Sequence, residues 1–174
     1  QRKIVSLLLT VHKEARKTND RRIWRATDAL YNAFISNYPQ SQEGHIWYYG
    51  AQRKEKLAMR WDAIEWYKKA AGVESYDNRL DSAFSVLRIL KDLVEEKSLK
   101  EKKVKKDYKR IAQETFWYIN NFKNTKQKGL AEYVLLESYF ESGLLSKATE
   151  YLAKVFKEEG PTKEHRDQFF THNR

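Results

Sequence analysis

The chain contains no cysteine. Disulfides, thiolate zinc sites and cysteine nucleophiles are therefore excluded, while the compartment stays open. Two prolines, Pro39 and Pro161, and six isolated glycines leave long stretches with nothing to break a helix, and no glycine-rich phosphate loop. Strand-like alternation is scarce. Apolar runs are short: Ile4 to Val11 is interrupted by Ser6 and followed by His12, Lys13 and Glu14. That falls far short of the roughly 20 residues needed to span a membrane, so it reads as a core helix and no transmembrane segment is expected.

What remains is a chain of 174 residues, 41% hydrophobic and 33% charged, with a net charge of +10. This mixture fits amphipathic helices with one wet and one dry face, and the length suits one compact domain or a short solenoid. The chain opens on Gln without Met, so a mature product or a piece of a longer protein is expected. An unpartnered Phe169-Phe170 pair points the same way, with self-association as the alternative.

Two segments 84 positions apart match closely, Ile35-Ser36-Asn37-Tyr38 and Ile119-Asn120-Asn121-Phe122. Each closes an aromatic-bearing helical run on an Asn-aromatic pair and a polar turn, which marks stacked repeats. Helical spacing then divides the chain into hairpins at about 1–39, 43–75, 78–124 and 127–160, with a partial or capping helix in 161–174. In the first, helices flank the Thr18-Asn19-Asp20 turn. In the second, one helix carries Ile46, Trp47, Gly50, Ala51, Lys54 and Ala58, and its partner carries Trp61 to Ala70. The third is elongated by a lysine-rich junction, and the fourth turns at Gly143.

The closing signals near Pro39, Ser75, Asn124 and Pro161 fall at steps of roughly 36, 49 and 37 residues, close to the 34-residue period of helix-turn-helix repeats apart from the insertion in the third unit. The fourth unit carries Tyr139, Gly143, Ala148, Leu152, Val155 and Pro161, and the second carries Trp47, Ala51, Ala58, Ala63, Tyr67 and Ala70. These residues resemble the tetratricopeptide-repeat family. The resemblance implies an all-α, right-handed α-solenoid of about four antiparallel hairpins in a single domain, 1–174, whose work is to hold a partner protein. It implies a non-catalytic scaffold or adaptor within a larger assembly. The Tyr38-Pro39-Gln40-Ser41 junction is also similar to those of tetratricopeptide proteins of bacterial cell envelopes, which favours a periplasmic or envelope location over the cytoplasm.

Enzyme chemistry has little to stand on. His12, His45, His165 and His172 lie far apart, without metal-ligand or triad spacing, so no metal, cofactor or catalytic residue is expected. Glu137-Ser138 resembles the glutamate-serine step of lytic transglycosylases, but the Gly-Leu-Met-Gln segment that follows it in those enzymes is missing. The repeat part of an enzyme whose catalytic domain lies elsewhere remains an alternative.

Two groups of binding residues stand out. By the repeat alignment Tyr48, Tyr49, Arg53, Lys56 and Trp61 would line a partner-binding groove, since aromatics and arginine dominate interface anchors. Between Lys97 and Arg110 the chain has eight basic residues against Glu101 and Asp107. Lys102, Lys103, Lys105, Lys106, Lys109 and Arg110 would make a polyanion or acidic-partner surface. The bland alternative is a solvated helix face. Nucleic acid is the runner-up partner, although Tyr108, the one aromatic inside that cluster, shares the apolar side with Val104 and Ile111.

Overall fold

The computed structural model describes residues 2–39, 41, 43–98, 105–123 and 125–159. Among them are eight α-helices and no strand: α1 (Arg2–Thr18), α2 (Arg21–Asn37), α3 (Gly44–Lys56), α4 (Arg60–Gly72), α5 (Arg79–Ser98), α6 (Lys105–Asn121), α7 (Lys128–Ser142) and α8 (Leu145–Glu159). The all-α expectation holds. The lysine-rich junction at 99–104 and the expected helix at 163–170 lie outside the described residues. No helix among the described residues is long and apolar enough to cross a membrane.

Local chemistry sets the helix ends. Asn19 takes a left-handed backbone, φ 52°, and Asp20 caps α2 by accepting a 2.7 Å hydrogen bond from the Arg22 amide. Gly143 ends α7 at φ 77°, a conformation that costs glycine nothing. The helix expected to run on through Ala58 instead stops at Lys56. Ala58 adopts φ 63°, carrying a Cβ where glycine is usual, and the Met59 amide bonds back to the Lys54 carbonyl at 2.8 Å.

The chain forms two compact units, residues 1–89 and 90–174. In the first, Val5 and Leu8 of α1 pack with Tyr31 and Phe34 of α2 and Ile46 of α3. A second cluster joins Trp47 of α3 to Ala70 of α4 and to Val73. The close approach of α3 to α4 depends on Gly50, where a Cβ would collide with the Trp66 ring. The core of the second unit contains Leu90, Val94, Tyr108, Ile111, Tyr118, Val134, Leu135 and Ala148.

The 84-residue echo extends into geometry. Helices α2 and α6 are both 17 residues long and start 84 positions apart, as do α3 and α7. In both copies the asparagine amide donates to the carbonyl four residues back, Asn37 to Ala33 and Asn121 to Trp117, each at 2.8 Å. In both copies the last aromatic stacks one turn back in a tilted pair. Phe34 and Tyr38 lie 5.0 Å apart and Tyr118 and Phe122 lie 5.5 Å apart. Trp24 and Tyr108, also in register, are both buried. The repeated words are thus a helix-ending device, in which an asparagine and an aromatic cover the last turn.

Candidate functional site

In the first unit a cavity of about 730 Å³ opens beside α1, α3 and residues 81–88 of α5, with Trp24 of α2 and Tyr67 of α4 in its lining. Trp24, Tyr48 and Phe84 supply its aromatic lining. Arg16, Lys56 and Arg88 supply positive charge, and Glu55 and Asp81 supply carboxylates. Phe84 is 37% exposed.

Glu55 organises the cavity wall. Its Oε2 accepts a 2.6 Å hydrogen bond from the Tyr67 hydroxyl, and its Oε1 accepts one of 2.7 Å from Arg88 Nη2. One carboxylate therefore ties α3 to both α4 and α5, which fixes the rim charge Arg88 in place. Burial, with the Glu55 charge second, pushes the Tyr67 phenol far above its ordinary range, so it stays a donor at any accessible pH. The indole Nε1 of Trp24 is buried without a hydrogen-bond partner among the described residues.

Of the expected groove residues, Tyr48 and Lys56 line this cavity, Tyr48 half-buried and Lys56 exposed. Tyr49 is half-buried beside it, with its ring 4.9 Å from that of His12 and 5.5 Å from that of Tyr48. Trp61 is half-buried in the first turn of α4 and is not part of the lining.

Arg53 departs from expectation altogether, because it is fully buried. Its guanidinium lies over the rings of Tyr31 and Trp66, at 4.5 and 5.1 Å from their centroids, and its Nε is 2.8 Å from Asp28 Oδ1. Nη1 donates to the Thr27 carbonyl at 3.1 Å. A side chain so enclosed contacts no partner; it fastens α3 to α2.

In the basic segment, Lys105, Lys106, Lys109 and Arg110 are exposed on the first turns of α6, while Tyr108 and Ile111 are buried on the opposite side. Lys102 and Lys103 lie outside the described residues, as do His165 and His172. His12 is buried and His45 sits 3.5 Å from Glu43. Among the described residues no three His, Asp or Glu side chains gather as a metal site would need.

Sequence reasoning missed Glu55, Phe84 and Arg88. The bonds that define them link residues 12 and 33 positions apart, and no local spacing announces contacts of that range. No family model, curated protein or solved structure matches the chain.

Proposed function

We propose that the chain is a non-catalytic scaffold that holds a segment of a partner protein in the groove of its first unit. The observation that carries this reading is the groove itself, where aromatic rings and fixed cations line one preformed cavity. Rigid aromatic anchors give contact area at small entropic cost, and a preformed surface leaves most of the ordering cost to the partner. A segment with an apolar anchor for Tyr48 and Phe84 and an acidic flank for Lys56 is the complement.

The architecture we read behind it is a right-handed tetratricopeptide-like solenoid of about four hairpins. Two features support that reading: consecutive α1–α2, α2–α3, α3–α4, α6–α7 and α7–α8 pack together, and helix starts repeat in register. A place in a bacterial cell-envelope assembly is the compartment suggested by the Tyr38-Pro39 junction.

Selection from a displayed peptide library tests the groove. Enriched peptides should carry a bulky apolar residue near Asp or Glu, and their affinity should fall at least tenfold with Tyr48→Ala or Lys56→Glu. Peptides that bind those variants as tightly as the parent would place recognition elsewhere and sink the proposal.

A further inference from the structure

We propose that a second groove, between α6 and α8 of the second unit, binds single-stranded nucleic acid. On α6 the residues Lys109, Gln113, Phe116 and Asn120 recur at intervals of four, three and four, and Lys123 continues the row. All five are exposed. Helical periodicity aligns them in one stripe about 17 Å long from Lys109 to Asn120, the length of a few nucleotides. The facing wall is a matching row on α8, where Lys147, Tyr151 and Lys154 line the same cavities. These cavities measure about 640 and 330 Å³ and share Phe116, Tyr151 and Lys154, so they form one continuous trough.

Along the stripe from Lys109 to Lys123 the order of groups is cation, amide, ring, amide, cation. Phe116 is 45% exposed, although an apolar ring of that size ordinarily seeks the core. Lys109, Lys123 and Lys147 make no ion pair among the described residues. Across the trough from Phe116, the Tyr151 hydroxyl donates to Glu132 Oε1 at 3.4 Å, which commits its polar end. Glu132 is itself buried, with Lys128 Nζ 4.0 Å away, so its charge is already engaged. Glu150 is the remaining acid in the trough.

A polyphosphate backbone with flat bases fits this order of groups. Lysines act as point charges on phosphates, exposed rings stack on any base, and amides reach base edges. An acidic peptide would use the same lysines together with the aliphatic lining from Leu144 and Val155, but the exposed apolar group of the α6 stripe is a single aromatic ring flanked by Gln113 and Asn120, and the oligoglutamate arm of the test separates the two. This trough lies one helical turn beyond the exposed Lys105 and Lys106, which would extend the same electrostatic track.

The test uses the full chain and fluorescence anisotropy with labelled twelve-nucleotide oligouridine and oligothymidine, and a labelled twelve-residue oligoglutamate. Three lysines, Lys109, Lys123 and Lys147, neutralising three phosphates give a salt slope near −2.1, so affinity should fall about 20-fold between about 50 and 200 mM salt. Phe116→Ala should weaken oligonucleotide binding about tenfold with the salt slope unchanged, and Phe116→Trp should restore it. Lys109→Glu with Lys147→Glu should weaken binding and flatten the slope, while Tyr48→Ala in the first unit should change neither. Uridine against thymidine distinguishes RNA from DNA as the source. The proposal is overturned by absence of oligonucleotide binding at low salt, by Phe116→Ala binding like the parent, or by oligoglutamate binding as tightly as the oligonucleotides. Phe116 and the lysines are exposed, so a retained far-UV circular dichroism spectrum is expected for every variant.

Discussion

Removing the carboxylate of Asp28 should unfold the first unit at a much lower urea concentration, because it strands a cation inside the protein. The Arg53 side chain exposes none of its surface and that of Asp28 exposes 16%. Burial pulls the guanidinium down to about 10, against the Asp28 charge that holds it up, so Arg53 is a cation in the fold at pH 7. In Asp28→Ala that cation keeps only the Thr27 carbonyl and the faces of Tyr31 and Trp66. Breaking a buried pair from one side costs about 3–5 kcal/mol.

The reverse change is milder. With Arg53→Met, Asp28 retains Lys54 Nζ at 3.4 Å and part of its access to water, so no charge is stranded. The cost then reduces to lost ring contacts and imperfect packing, about 1–2 kcal/mol. The double variant should resemble Arg53→Met alone, which makes the coupling between the two sites as large as the Asp28→Ala cost itself, about 3–5 kcal/mol. Urea unfolding at pH 7 followed by tryptophan fluorescence measures this, since four of the five tryptophans lie in the first unit. A loss below about 1 kcal/mol for Asp28→Ala, or two single effects that simply add, would refute the view that Arg53 is a buried cation held by Asp28.

Three further outcomes can be measured on the same assay. Burial, reinforced by Arg16 and Arg53, lowers His12 from 6.5 to about 4. The unfolded chain therefore binds the proton more readily, and stability should drain away as pH falls from about 6.5 to 4, by up to about 3 kcal/mol. His12→Phe should flatten that stretch of the pH profile, and an unchanged slope would remove His12 as its source. Gly50→Ala drives a methyl group into the Trp66 ring and should cost about 1–3 kcal/mol with a shifted tryptophan emission; a neutral effect would mean that α3 and α4 separate freely. Ala58→Gly should stabilise and Gly143→Ala should destabilise, each by about 1 kcal/mol, because both positions hold a left-handed backbone. Effects of the same sign would contradict the strain at Ala58.

Signals that act over one turn were legible in the sequence, and signals that act across the fold were not. The Thr18-Asn19-Asp20 turn, Gly143 and the repeated Asn-aromatic endings each encode a helix terminus within four residues, and the observed boundaries follow them. Ala58 shows the limit of that logic. Without a glycine to mark the left-handed residue, the apolar spacing around Leu57 reads as continuing helix.

Arg53 fails for a different reason: spacing puts it on the face of Tyr49 and Lys56, and a cation there is assigned to water, while its counter-charge comes from another helix. Clustering along the chain misleads in the same way. A window over 97–110 gathers lysines that neighbour each other in sequence and leaves out Phe116. On a helix Lys109 neighbours Gln113, which in turn neighbours Phe116, and the opposite bank of the trough arrives with α8. The aromatic that a nucleic acid would need is therefore absent from the basic run and present beside it, and Phe116→Ala separates an interleaved surface from a merely charged one.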